Sequence, residues 1–315
     1  MIAVSYSCGR ILQDVEHVDN FLKSALHLDT LCDDTTYNEC LRQVTAAAML
    51  NKGVDGKDTL NDKGFRFPPF VGDSERRRLR EKIYKELIQK SRPEQDDDIT
   101  LGLGGALPQT KVKKERNAFY VIGLPASGKS EVSNLLSDQF GAIILDSDFA
   151  KRKFPEYVAE YGASVVHAES SVVTFGGKDE FAAEPSVLQY AVENGCNIVV
   201  PKIGNDKTAV LQFAKGLSDV GYTVHLVLVR LDREKATQRA LFRYHSTKRY
   251  VPLQLIFDVY GNDPTIVFYD LVLLDEKNVF SSYTMLSSDV PKGEHKKMLY
   301  ISEDSPITKE MLIMR

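Results

Sequence analysis

Eight consecutive residues, Gly123, Leu124, Pro125, Ala126, Ser127, Gly128, Lys129 and Ser130, match the pattern G-x-x-x-x-G-K-[ST] in full. An apolar run from Ala118 to Ile122 precedes them and a helical segment from Glu131 to Phe140 follows, so the local order is strand, loop, helix. Glycine lets the backbone curl until several N–H groups point into one concavity, and the following helix adds the positive end of its dipole. Such a hollow accepts a chain of phosphates. Lys129 is then expected to reach the β and γ phosphates, and the Ser130 hydroxyl to ligate an accompanying Mg²⁺. The structural alternative is a glycine turn with an exposed lysine.

Further strand candidates are Ala142 to Leu145, Asn197 to Val200, Tyr222 to Val229 and Ile266 to Leu274, with helical patterns between most of them. Alternating elements predict an α/β fold with a parallel sheet flanked by helices. The 40 basic and 44 acidic residues leave a net charge of −4, which argues against a polycationic nucleic-acid binder. Apolar stretches such as Val224 to Val229 fall far short of the ~20 residues needed to span a bilayer, so no membrane association is expected. The opening MIAVSYSCGR lacks a basic start followed by a long apolar run, and the expected compartment is the cytoplasm. Cys8, Cys32, Cys40 and Cys196 contain no C-x-x-C pair, and the histidines form no H-E-x-x-H. Reduced thiols and no structural zinc follow.

Ile11, Val15, Val18, Leu22 and Leu26 recur at helical spacing, and Thr36 with Glu39 suggests a capping box before a second helix. Residues 1–62 are therefore expected to form a helical extension. Gly53, Gly56, Gly64, Pro68 and Pro69 mark a boundary after it. Across 63–117 the pattern predicts a basic amphipathic helix from Ser74 to Lys90, then a flexible connector from Arg92 to Pro108. Glu75, Glu81 and Glu86 interleave with Arg76, Arg77, Arg78 and Arg80, favouring a solvated face over a nucleic-acid surface. The phosphate-loop domain is placed at 118–290, with a C-terminal extension over 291–315.

The guanine-reading tetrapeptide N-K-x-D is absent, since Asn51-Lys52 runs into Gly53-Val54. Motor and transporter ATPases end a later strand with a metal-binding Asp, whereas Asn197 to Val200 runs into Pro201-Lys202. Instead, Asp146-Ser147-Asp148 follows the second strand candidate directly. Small-molecule kinases place a carboxylate there because it faces the loop-bound γ phosphate across the mouth of the sheet. One acid can align an acceptor hydroxyl and take its proton. For both aspartates an Asx turn or helix cap before Phe149 is the structural alternative.

At this point the chain resembles the zeta-toxin family of phosphate-loop kinases, from about Phe119 to Leu274. The resemblance is carried by GLPASGKS at 123–130, LDSDFAKRKFPEY at 145–157, VHAESS at 166–171, GCNIVV at 195–200 and EKATQRALFRYHSTKRYVP at 234–252. It implies ATP-dependent phosphorylation of a nucleotide or nucleotide-sugar hydroxyl, with UDP-N-acetylglucosamine the acceptor of some members and NAD that of a related effector group. By position, Asp148 resembles the general base and Asp146 a supporting or metal-side residue. Glu169 resembles a substrate-positioning acid, assisted by His167 and Ser170. Arg243 and Arg249 resemble the phosphate-binding arginines of a mobile lid, a role suited to planar guanidinium groups. Surface ion pairing is the structural alternative for Glu169, Arg243 and Arg249, and packing is that for His167.

Three features depart from the family pattern. Pro201-Lys202-Ile203-Gly204 replaces an acidic residue, so Lys202 suggests a more anionic acceptor. Phe154-Pro155 replaces His-Pro, and Thr174 to Glu184 reads as an enlarged loop beside the acceptor. The expected function is an ATP- and Mg-dependent kinase of a nucleotide sugar, acting as a growth-inhibiting toxin with an antitoxin as partner. An NAD-directed kinase and a non-catalytic ATP-dependent interaction protein are the alternatives. For the N-terminal helices, packing or a partner surface is favoured over self-inhibition, because amphipathicity demands burial without naming the cover.

Overall fold

Two aspartates start the N-terminal helices. In the computed structural model, which describes residues 10, 12–54, 56–247, 250–274, 279–291 and 293–312, Asp14 accepts from the His17 N–H and Asp33 from the Thr36 N–H. They cap α1 (Val15–Ser24) and, beyond the short α2 (Leu28–Leu31), α3 (Asp34–Gly53). The second helix thus begins before the Thr36–Glu39 pair that suggested its cap. Next comes α4 (Asp73–Gln89), which carries the basic residues.

The remaining elements alternate. Strand β1 (Asn117–Ile122) leads through the glycine loop into α5 (Lys129–Phe140), and β2 (Ile143–Ile144) into α6 (Ser147–Lys151). Then follow α7 (Gly162–Val165), α8 (His167–Phe175), α9 (Val187–Asn194), β3 (Ile198–Lys202), α10 (Lys207–Asp219), β4 (Thr223–Arg230), α11 (Arg233–Thr247) and α12 (Asp263–Leu274). Strands β5 (Ser282–Ser287) and β6 (Lys297–Ile301) end the sheet. Its order is β2-β3-β1-β4-β5-β6, with the first five parallel and β6 antiparallel to β5. A mostly parallel sheet flanked by helices is the predicted class.

The chain moves to opposite sides of β1 for β3 and β4, which makes the end of β1 a switch point where α/β sheets open a crevice. Register places Lys202 beside Ile122, the residue that enters the glycine loop. One strand further out, Leu145 donates to the Val199 carbonyl and delivers Asp146 to the same edge.

Ile266 to Leu274, expected as a buried strand, is helix α12. Val267, Phe268 and Leu271 are buried while Ile266, Tyr269, Leu273 and Leu274 are exposed, a helical division that an unbroken apolar run conceals. The last parallel strand is instead the more polar SYTMLS of β5.

The Arg92–Pro108 connector is packed. Ile99 and Ala106 are buried in the main core, and the fully buried Lys153 ammonium donates to the carbonyls of Thr100, Leu103 and Gly104. Glycine positions that suggested flexibility serve close approach: a Cβ on Gly105 would stand 2.2 Å from the Lys90 carbonyl oxygen.

Helix α4 is not merely a solvated face. Arg76, completely buried, donates to Glu156 and to Glu169, while Arg80 bridges Glu169 and Glu184. The N-terminal helices build a second core. Phe21, Leu22, Leu26, Cys40 and Val44 pack with Leu241 and Tyr244 of α11 and with Leu124 at the back of the glycine loop. Cys32, Cys40 and Cys196 are free thiols, and Cys8 lies outside the described residues.

Candidate active site

The glycine loop adopts backbone that only its sequence tolerates. Gly123 has φ +152° and Gly128 φ +85°, and a Cβ on Gly123 would meet the Val229 carbonyl oxygen at 2.5 Å. Lys129 folds over the loop and donates to the carbonyls of Gly123 and Leu124 at 2.7 and 2.6 Å. Burial, opposed by Asp146 and reinforced by Arg243, brings its ammonium down to about 8. The Ser127 hydroxyl is fully buried and has no hydrogen-bond partner, while Ser130 stands exposed at the first turn of α5.

Across the mouth of the sheet stand the two aspartates. Asp146 caps α6 by accepting from the Asp148 N–H at 2.9 Å, so the cap read as its structural alternative is present. Its charge acts on the ammonium groups of Lys129 and Lys202. Burial first, and then the charge of Asp148, raise its pKa to about 6. Asp148 is 53% exposed and pairs with Lys151 at 2.8 Å. Desolvation pushes its pKa up, but Lys151, Arg152 and His167 outweigh this and hold the carboxylate well below its ordinary range. It is charged at neutral pH.

His167 and Lys202 complete this wall. The ammonium of Lys202 lies 3.5 Å from the centroid of the Phe175 ring, and burial, countered by Asp146, brings it down to about 8. Desolvation and the Lys151 ammonium lower His167 to about 4; its ring is open to solvent, so water offsets part of the desolvation. The arrangement brings together Lys129, Asp146, Asp148, His167 and Lys202 from the expected set, and adds Lys151 and Arg152.

Two expected substrate residues lie elsewhere. Glu169 is completely buried, accepting from Arg76, from Arg80 at 2.8 Å and from the Thr59 hydroxyl at 2.7 Å. It anchors α4 to α8 through these bonds; its ion pairing was anticipated only as a surface pair. The buried Ser170 hydroxyl donates to the His167 carbonyl within its own helix. The Thr174–Glu184 loop divides similarly. Phe175 serves the cleft, whereas Phe181 and Glu184 hold Arg80 on the far side of α8.

Beside the glycine loop a cavity of about 680 Å³ lies between Gly128 and Glu131 of the loop–α5 junction, Arg239, Phe242 and Arg243 of α11, and Ser288, Val290, Pro291 and Lys296. Arg239 closes one edge by donating to the Ser288 carbonyl at 2.9 Å. Arg243 is therefore beside the loop; Arg249, the other expected lid arginine, lies outside the described residues. Arg239 and Lys296 were not anticipated. The spacing of Arg239 and Arg243 along one helix face was the available signal for the first. Nothing local marked Lys296. A smaller cavity of about 190 Å³, beside Arg77, Arg80 and Glu184, belongs to the buried ion network and not to this cleft.

Among the described residues no three His, Cys, Asp or Glu side chains gather into a ready-made metal site, and no helix is long and apolar enough to cross a membrane. The described α1–α3 residues do not line the larger cavity, so the N-terminal helices support α11 from behind.

The zeta toxin family model matches residues 106–265, just over half of the 315 residues. A structure from the PezAT chromosomal toxin–antitoxin system of Streptococcus pneumoniae is similar at 17% identity over 76% of this chain and 87% of that one, with a TM-score of 0.50. The AvrRxo1-ORF1:-ORF2 complex is similar at 15% identity over 77% and 72%, with a TM-score of 0.43. A gluconokinase from Sinorhizobium meliloti is similar at 15% over 57% and 86%, with a TM-score of 0.32. No curated protein matches the chain in sequence.

Proposed function

The chain belongs to the zeta toxin family, and from that premise we propose that it transfers the γ phosphoryl group of ATP to a hydroxyl of a nucleotide sugar such as UDP-N-acetylglucosamine. The reading rests on one observation above the rest: Lys129, in the loop after β1, and Asp146 and Asp148, just after β2 two strands away, stand at the same edge of the sheet, where both carboxylates act on the Lys129 charge.

Each residue then has a task. The loop N–H groups and Lys129 hold the donor phosphates, exchanging the ammonium's contacts with two loop carbonyls for contacts with phosphate oxygens. Asp148, charged and open to the cleft, aligns the acceptor hydroxyl and takes its proton as phosphorus is attacked. Arg243 donates to the equatorial oxygens, where negative charge spreads in the transition state. The exposed Ser130 hydroxyl and the Asp146 carboxylate fit a Mg²⁺ ion, which takes one or two protein oxygens and completes its shell with phosphate and water. When bound, that ion would supply neutralising charge to the transferring phosphates.

Lys151, Arg152 and Lys202 make the acceptor wall cationic and favour an acceptor that carries its own phosphates. Both a nucleotide sugar and a dinucleotide meet that requirement. An NAD acceptor is the second reading, supported by Lys202 in place of an acid. The PezAT structure comes from a toxin–antitoxin system, which supports growth inhibition as the consequence and a neutralising protein as partner, in the cytoplasm where ATP is supplied.

The test is incubation of the full chain with ATP and a panel of nucleotide sugars and dinucleotides, with products identified by mass. A phosphorylated UDP-N-acetylglucosamine that falls about 10²- to 10⁴-fold in rate with Asp148→Asn is expected. Preferential turnover of NAD in direct competition would replace the first acceptor by the second. Identical rates for wild type and Asp148→Asn would remove Asp148 as the base.

A further inference from the structure

The segment between β5 and β6 lies outside the matched family region, yet it returns to the glycine loop. Lys296 stands immediately before β6, and its side chain is 8% exposed. The Cε atom lies 3.1 Å, and the ammonium 3.6 Å, from the point a Cβ on Gly128 would occupy. Its ammonium pairs at 2.5 Å with Glu131, itself 52% exposed in the first turn of α5. Both residues line the cavity of about 680 Å³ that opens beside the loop. A cation is thus delivered from a distant hairpin to the junction of the loop and the cavity, and a solvent-facing carboxylate holds it there.

Gly128 explains why the lysine can lie so close. Any side chain there would press on the Lys296 stem, and at φ +85° glycine is favoured in any case. Glu131 adds a negative charge at the entrance to a site read as one for polyphosphate. A donor entering the cavity therefore repels Glu131 and attracts Lys296, and the pair separates if the ammonium gains more from phosphate than from a half-exposed carboxylate. Charge-assisted bonds to phosphate exceed exposed ion pairs in strength, so the exchange favours phosphate.

We propose that Lys296 is a donor-positioning residue, exchanging Glu131 for the phosphates of the bound nucleotide, and that Glu131 is the competitor setting the strength of that grip. This rests on the reading of the glycine loop as the ATP site. It assigns a binding role to a residue of the C-terminal hairpin, and it predicts effects of opposite sign from the two partners of one ion pair.

Calorimetric titration of the full chain with ADP tests the exchange. Lys296→Met should weaken ADP binding about tenfold, Lys296→Arg should restore most of it, and Glu131→Gln should tighten it severalfold. In turnover, Lys296→Met should raise KM for ATP with kcat little changed, the signature of uniform binding. Combined with Lys296→Met, Glu131→Gln should lose its gain. A merely structural ion pair predicts that both single variants weaken binding together, through a common loss of local order. That result, or ADP affinity unchanged in Lys296→Met, overturns the proposal. Failure of the wild-type chain to bind ADP or ATP at all would instead remove the donor reading on which the proposal rests.

Discussion

Two groups of charged side chains stand on opposite faces of α8, built from the same chemistry and put to opposite uses. In the first, Arg76, Arg80, Glu156 and Glu169 are buried, and each carboxylate meets guanidinium or hydroxyl donors. In the second, Lys129, Asp146, Asp148, Lys151, His167 and Lys202 gather at the sheet edge beside the glycine loop, with Asp148 half exposed. In the sealed group the carboxylates already accept from buried donors. The open group adds less to stability, because solvent at the half-exposed Asp148 screens its pair with Lys151 to about 0–1 kcal/mol. What separates a structural acid from a chemical one here is whether its partners are saturated.

Removal of Glu169 has the largest expected effect. Glu169→Ala leaves Arg76 and Arg80 buried with one carboxylate partner fewer, and breaking such a pair typically costs about 3–5 kcal/mol. Denaturant unfolding should show that loss. If Glu169→Ala instead abolishes phosphoryl transfer at unchanged stability, the residue belongs with the open group and acts on the substrate.

Acidity offers a second probe. The folded-state pKa of Asp146 is raised to about 6 from an ordinary 3.8, so between those values the native protein binds more protons than the unfolded chain. Stability contributed at Asp146 is therefore greatest below about pH 4 and falls as pH rises to about 6, by at most ~1.4 kcal/mol per pH unit. The expected signature is a decline in unfolding free energy across that window, relative to Asp146→Asn. Glu169 goes the other way. Burial raises its pKa, but Arg76 and Thr59 more than offset that and the net shift is downward, so its contribution is lost as pH falls. A flat difference between wild type and Asp146→Asn would show that Asp146 feels neither the desolvation nor the neighbouring charge.

The two groups also differ in how far the amino-acid sequence reveals them. GLPASGKS prescribes its own backbone through Gly123 and Gly128, and Asp146 and Asp148 follow a strand directly, so the open group is written in short spacings. The sealed group is not. Glu169 meets Arg76 and Arg80 across 93 and 89 residues, and no local pattern tells a buried partner from a substrate. Arg76 and Arg80 read as solvated because glutamates surround them in sequence, although Glu75 and Glu81 are exposed and the true partners lie elsewhere. Lys296 was illegible for the same reason: it reaches Gly128 only through the pairing of β5 with β6. The apolar run in α12 concealed its period, and the polar alternation of β5 hid a core strand. Long-range pairing, not propensity, decides these positions.

The smallest expected effect is also the most exacting test. Asp148→Asn removes the 2.8 Å pair with Lys151, a loss of about 0–1 kcal/mol for an exposed partner. It also removes a negative charge that raises the pKa of Asp146, and this relief acts in the opposite direction at neutral pH. The two changes oppose one another, so unfolding free energy at pH 7 should stay within about 1 kcal/mol of wild type. With Asp148 neutral, Asp146 loses one of its two upward pushes, and its titration should move toward lower pH in the same unfolding series. A destabilisation approaching that of Glu169→Ala would mean that Asp148 is held as tightly by the fold as the sealed acids are, and the division between the two groups would have to be redrawn around burial that the cleft does not display.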